Sequence, residues 1–73
     1  MRFVSSPRYR RFLKRVKRAR EEARLTQAQV AAALRRPQSF VSKCESGERR
    51  LDVIELQDLA RLYRKPLTYF VEA

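Results

Sequence analysis

The sequence predicts an all-α fold of five helices in one small domain. Apolar residues recur every three or four positions along most of the chain, which is the period of helices with one face in a core. No segment shows the strict alternation of a half-buried strand. A chain of 73 residues can build only a thin core, so that association with a second copy would stabilise it.

The first predicted helix follows the turn-like segment from Ser5 to Pro7. We assign residues 1–8 to a basic N-terminal arm and residues 9–73 to the domain. Residues 1–20 carry nine of the 18 basic side chains and no acidic one, so the charge is concentrated here. The apolar stripe of this helix consists of Tyr9, Phe12, Leu13, Val16, Ala19 and Ala23.

The second helix has a clear start signal. Thr26 can cap it, Gln29 stands three residues later to complete a capping box, and Leu25 can pack on Val30 as a hydrophobic staple. We expect this helix to end near Leu34.

Proline and glycine set the bounds of the third helix. Pro37 disfavours helical geometry at Arg36 and suits the first turn of a new helix. The predicted helix spans about Gln38 to Ser46, and Gly47, the only glycine, suits a left-handed cap.

The last two predicted helices are separated by Pro66. Asp52 can cap the fourth helix, and its apolar positions are Val53, Leu56, Leu59, Ala60 and Tyr63. The segment "PLTYFVEA" predicts a short fifth helix. Its apolar side chains cannot all face inward, so at least Tyr69 or Val71 should be left for a partner subunit.

Composition excludes several functions. One cysteine and no histidine leave no usual zinc site and no Cys/His nucleophile, so we expect neither a metal, nor a cofactor, nor an enzyme. No apolar run reaches the roughly 18 residues needed to span a bilayer, and we expect a cytoplasmic protein without a membrane partner. The formal net charge of +10 favours polyanionic partners.

The stretch "LTQAQVAAALRRPQSFVSKCESGERRLDVIELQDLARLY" resembles the phage-repressor, Cro and Xre type of helix-turn-helix DNA-binding domain. The resemblance runs without a gap from Leu25 to Gly47 and covers about Tyr9 to Val71. It implies a five-helix lambda-repressor-like fold. It also implies a transcriptional regulator, acting as a repressor on a double-stranded DNA operator.

The resemblance also implies roles for individual residues. Gln38, Ser39 and Lys43 match positions that reach base edges, and their amide, hydroxyl and ammonium groups suit that chemistry. Ala31 matches the small residue at a close helix crossing. The expected contacts to the DNA backbone are Gln27, Arg35, Arg36, Ser42, Arg49 and Arg50, with the arginines bracketing the third helix.

Other matched positions have structural roles or depart from the pattern. Arg20 and Glu45 match a structural ion pair. Arg35 stands where glycine is common, which predicts backbone strain, and Pro37 replaces a capping hydroxyl. Phe40 could either contact a thymine methyl group or close the core, whereas Cys44 should be a small core residue.

Three classes of function remain open at this point. The first is a homodimeric repressor that associates through its C-terminal helices. The second is an antitoxin-like or partner-recruiting DNA-binding module whose activity another protein supplies. The third is an RNA or anionic-membrane binder acting through charge alone, against which the sequence shows no exposed aromatic platform. The basic N-terminal run suits a DNA-contacting arm or a solvated helix face.

Overall fold

A computed structural model describes residues 6–71, and all regular structure in that range is helical. Four α-helices are followed by one 3₁₀ turn, which confirms the all-α class. Of the fifth helix predicted over residues 66–73, the described part forms only this turn. The elements are α1 (Pro7–Glu22), α2 (Gln27–Leu34), α3 (Gln38–Ser46), α4 (Val53–Tyr63) and the 3₁₀ turn (Leu67–Tyr69).

Helix α1 begins earlier than the sequence suggested. Ser6 caps it by accepting a hydrogen bond from the Tyr9 N–H at 3.0 Å, and Pro7 occupies the first turn. Residues 7 and 8, assigned to the N-terminal arm, therefore lie in α1. Ser6 of that arm is the N-cap, and residues 1–5 lie outside the described part of the chain.

Reciprocal capping boxes fix the starts of α2 and α4. The Thr26 hydroxyl accepts from the Gln29 N–H at 3.1 Å, and the Gln29 side chain accepts from the Thr26 N–H at 2.8 Å, as predicted. Asp52 caps α4 as predicted, with Glu55 as its reciprocal partner. Helix α3 has no such cap, because Pro37 precedes it.

Left-handed residues end the helices. Gly47 has φ 88° after α3, as predicted. Arg24, Arg35 and Arg64 also have positive φ, at 61°, 57° and 60°, and follow α1, α2 and α4. Because a side chain in this conformation crowds the backbone, each arginine costs about 1 kcal/mol relative to a relaxed residue. The strain predicted at Arg35 thus recurs at two more positions.

One apolar core joins the four helices and the residue after the 3₁₀ turn. Within residues 6–71, every residue that is buried as a whole, apart from Gly47, is apolar or aromatic. Val53 was predicted to face the core but is 67% exposed, because it is the first residue of α4 and no neighbouring element covers it. The core cluster contains Val16, Ala19, Val30, Ala31, Phe40, Val41, Cys44, Leu56, Leu59, Ala60, Tyr63 and Phe70.

Candidate nucleic-acid interface

Helices α2 and α3 form a tightly packed pair joined by three residues, Arg35 to Pro37. Val30 and Ala31 of α2 are buried in the same cluster as Val41 of α3. Ala31 is only 4% exposed, so a small side chain is required where it lies. This arrangement gives α3 a rigid support on one side.

The opposite side of α3 is open to solvent. Gln38, Ser39 and Lys43, the predicted base-reading residues, are all exposed. Phe40, Val41 and Cys44 are buried on the inner side of the same helix, which separates the two sets by helical periodicity. Burial raises the pKa of the Cys44 thiol, as expected for a small core residue. The outer face therefore offers amide, hydroxyl and ammonium groups together.

Glu45 ties three helices together behind this face. Its carboxylate accepts from Arg20 Nε at 2.7 Å and from Arg20 Nη2 at 3.1 Å, so the two residues form a bidentate ion pair. Hydrogen bonding to Glu45 raises the pKa of Arg20. Arg20 Nη1 also donates to the Leu25 carbonyl at 2.9 Å, which anchors the chain between α1 and α2.

Gln27 belongs to this same network. Its side-chain Nε2 donates to Glu45 Oε1 at 3.0 Å, linking the first residue of α2 to α3. The resemblance implies that Gln27 both contacts the DNA backbone and steadies the third helix, and this hydrogen bond agrees with the second role. Ser42, assigned likewise, is half-buried, and its hydroxyl donates to the Ser39 carbonyl at 3.3 Å.

Two of the predicted backbone-contacting arginines converge on one carboxylate. Arg49 Nη1 and Nη2 donate to Glu55 Oε1 and Oε2 at 2.8 and 2.7 Å, and Arg36 Nη2 donates to Oε2 at 3.3 Å. Sequence reasoning placed these arginines at opposite ends of α3. The structure instead brings them to one site, where the arginines lower the pKa of Glu55.

The ring of Phe40 lies beneath both guanidinium groups. The Arg36 Cζ is 3.9 Å from the ring centroid, and the Arg49 Cζ is 4.8 Å away. Phe40 itself is only 8% exposed and belongs to the core cluster. Of its two predicted roles, closing the core is the one that this packing supports.

Arg35 and Arg50 differ from the pair held by Glu55. Arg35 is exposed at the left-handed end of α2. Arg50 is also exposed, with its Cζ 4.3 Å from the centroid of the Tyr9 ring. The Tyr9 hydroxyl accepts from the Leu51 N–H at 3.1 Å, which fixes the loop before α4 against α1.

Sequence reasoning missed two residues of this region, Glu55 and Tyr9. The spacing of Asp52 and Glu55 is that of a capping box, a signal that could have singled out Glu55. Nothing local signalled that Glu55 would also hold Arg36 and Arg49. Tyr9 was assigned to the apolar stripe, and no local pattern indicated its hydrogen bond to the loop.

Comparison with known proteins agrees with this geometry. The family model described as "Helix-turn-helix" matches residues 16–70, which include both helices of the α2–α3 pair and all of α4. Searches of curated proteins and of solved structures return no match to this chain. Within residues 6–71, no helix is both long enough and apolar enough to cross a bilayer. The chain therefore belongs to the Xre and lambda-repressor type of helix-turn-helix family, whose members are DNA-binding transcription regulators.

Proposed function

We propose that this protein is a cytoplasmic, non-enzymatic repressor that binds a specific operator as a homodimer, with α3 in the major groove. The observation that carries the proposal is the outer face of α3. Gln38, Ser39 and Lys43 are exposed there, while the inner face is fixed by the core. A helix of this size fits the major groove, where each base pair presents a distinct pattern of donors and acceptors.

The side chains on this face suit base edges. The Gln38 amide can donate and accept at once, as adenine N6 and N7 require, and the Lys43 ammonium can donate to guanine O6 or N7. Both lie on a helix that Glu45 holds through Arg20 and Gln27. Because a fixed helix loses less freedom on binding, this support favours specific recognition.

Four arginines flank α3, and they differ in how free their guanidinium groups are to contact DNA phosphates. Arg35 and Arg50 are exposed, so their guanidinium groups can reach phosphates without breaking an ion pair. Arg49 directs both of its Nη atoms to Glu55, and Arg36 directs one. We therefore assign the main backbone contacts to Arg35 and Arg50.

Exposed apolar side chains support association between copies. Val53, Ile54, Leu67 and Val71 are 67%, 62%, 39% and 53% exposed. All four lie at the start of α4 or around the 3₁₀ turn. A dimer through this region would present two recognition helices to two half-sites, since one helix alone covers too few base pairs for a unique site.

The same apolar side chains also support the second candidate, an antitoxin-like or partner-recruiting module. In that case, a different protein would cover Val71 and its neighbours while α3 binds DNA. The two candidates differ in stoichiometry. A homodimer binds its site as two copies of this chain, whereas the partner module binds as one copy in the absence of its partner.

Selection of bound sequences from a random duplex library tests the proposal. We expect an enriched inverted repeat, and a native mass spectrum of the selected duplex with two copies of the chain. Enrichment of a single half-site with one copy bound would favour the partner module. No enrichment at all would contradict sequence-specific binding.

Substitutions then test the readout. Gln38→Ala and Lys43→Ala should each reduce discrimination at particular base pairs by about 1–3 kcal/mol, whereas Arg50→Ala should weaken binding to all duplexes alike. Binding constants for the selected site and for single-base variants provide the measurement. If all three substitutions weakened selected and random duplexes equally, Gln38 and Lys43 would not be base contacts.

A further inference from the structure

The outer face of α1 carries a stripe of cations that the recognition of one operator does not use. Arg10, Lys14, Lys17 and Arg18 are all exposed, and none forms a salt bridge within residues 6–71. Their spacing of three and four residues places them along one side of the helix, over a length of about 12 Å. No apolar side chain interrupts this stripe, since the apolar residues of α1 lie on its other side.

This stripe lies on the side of α1 opposite to the one that packs against α3. Helix α1 packs on the inner side of α3: Val16 and Ala19 share the core cluster with Val41 and Cys44. The stripe points away from that cluster on one side, and Lys43 points away from it on the other. A straight duplex held against the outer face of α3 would therefore leave the stripe free.

The chemistry of the stripe selects one class of partner. A membrane-surface helix needs a free apolar face, but that face of α1 is in the core. Protein interfaces have apolar centres and are depleted of lysine. Because the stripe consists of cations, it does not suit a protein partner. Single-strand binders need exposed aromatic platforms, whereas Tyr9 and Phe12 are half-buried. Closely spaced, exposed cations match the phosphates of a duplex.

We propose that the outer face of α1 is a second, sequence-independent site for duplex DNA. A protein bound to its operator through α3 would hold another DNA segment through Arg10, Lys14, Lys17 and Arg18, and so bridge the two. The inference rests on the proposed function for the first duplex only. The second contact depends on charge and spacing in α1, not on the base-reading residues.

A capture experiment tests the bridge. The selected duplex is immobilised, the protein is bound and excess protein is washed away, and a labelled random duplex is added. The full chain should retain the labelled duplex. The triple variant Arg10→Gln, Lys14→Gln and Arg18→Gln should keep its affinity for the immobilised site. It should lose capture of the labelled duplex, because three of the four cations proposed to contact its phosphates are removed.

Matched variants distinguish the loss of a local binding site from a general loss of positive charge. Arg24→Gln, Arg61→Gln and Arg64→Gln remove the same charge from exposed positions outside the stripe and should capture normally. Arg10→Lys with Arg18→Lys keeps the charge and should also capture. Circular dichroism melts check that every variant is folded.

The outcomes are distinct from those of the readout test. Equal capture by the stripe variant and the full chain would overturn the second site, as would equal losses in the stripe and control variants. Polyglutamate and unlabelled duplex can be compared as competitors at equal concentrations of negative charge. If polyglutamate displaced the second duplex at the lower concentration, the stripe would be assigned to an acidic protein instead. If no operator can be selected, a random immobilised duplex serves in the same assay, so the proposed function can fail without deciding this inference.

Discussion

At the scale of single residues, Glu55 organises more of the candidate interface than any residue singled out from the sequence. Its carboxylate accepts from Arg36 and Arg49 and from the backbone N–H of Asp52. These bonds join the turn before α3, the loop after it and the start of α4. A single ionised group thus holds together segments that are far apart in the chain.

The ionisation of Glu55 should make stability dependent on pH. Hydrogen bonds from Arg49 hold the pKa of Glu55 below its ordinary value of 4.5, so its stabilising contribution is present above pH 4.5. That contribution is lost as the pH falls through the lowered value in the folded protein. We expect Glu55→Gln to melt lower than the natural chain at neutral pH. The difference should shrink in acid.

Thermal melts between pH 2 and pH 7 measure this difference, with Glu48→Gln as the control. Glu48 is exposed and forms no salt bridge within residues 6–71. Its replacement should leave the pH dependence nearly unchanged. A difference between the natural chain and Glu55→Gln that stayed constant with pH would show that the carboxylate charge is not responsible.

The left-handed arginines allow stability and DNA binding to be separated. Arg35→Gly and Arg64→Gly should each raise the free energy of unfolding by about 0.5–1 kcal/mol, because glycine adopts positive φ without strain. Only Arg35→Gly should weaken binding to all duplexes, since only Arg35 adjoins α3. The slope of the logarithm of the binding constant against the logarithm of the salt concentration should then be smaller in magnitude by about one. Chemical denaturation and binding titrations provide the two measurements. Unchanged DNA affinity in Arg35→Gly would remove Arg35 from the backbone contacts.

At the scale of elements, the sequence predicted helix bounds well wherever the signal is local. Thr26 with Gln29, Gly47 and Asp52 act within one turn of their own helix, so their spacing in the chain is sufficient to place them. The fifth element was predicted as a helix because its composition is apolar. Its 3₁₀ geometry depends on how Phe70 reaches the core, which no local pattern encodes.

The candidate site was predictable in its outer face but not in its supporting contacts. Gln38 and Lys43 could be placed because the resemblance fixes their position on α3. The convergence of Arg36 and Arg49 on Phe40 and Glu55 depends on how the loop after α3 folds back on the helix. That contact joins residues distant in sequence, so it became visible only in the folded chain.

The crossing of α2 and α3 should tolerate no larger side chain. Ala31→Leu inserts three heavy atoms where the side chain is only 4% exposed, and overpacking of this kind costs about 1–3 kcal/mol. Ala33→Leu adds the same atoms on the exposed side of α2 and should change stability by less than about 0.5 kcal/mol. Denaturant titration of both variants measures the contrast. Equal stability of the two variants would mean that the crossing is looser than the packing indicates.

At the scale of the whole molecule, the apolar side chains that remain exposed lie close to the end of the described chain and at the start of α4. An open groove of about 460 Å³ lies between α1 and this region, with Val53 and Val71 among its lining residues. A small domain gains stability by covering such a surface. The proposed dimer would cover its apolar side chains.

A charge placed in this region should separate the copies. Val71→Glu adds a carboxylate to a side chain that is 53% exposed, so it should leave the monomer folded while opposing a dimer contact. We expect one copy instead of two on the selected duplex, with affinity reduced at least tenfold by loss of the second half-site. Ala33→Glu adds the same charge on an exposed position of α2, outside this region, and should still bind as two copies. Two copies of Val71→Glu on the duplex would place the dimer contact elsewhere.

Phe70 is fully buried, although it follows the 3₁₀ turn and is the last core residue in chain order. During synthesis, Lys43 leaves the ribosome 27 residues before Phe70, a lead of roughly 1–5 s at about 5–20 residues per second. Helix α3 is thus made before the last side chain of the core that supports it. We therefore expect the chain to become able to bind DNA only after residue 70 has been released from the ribosome.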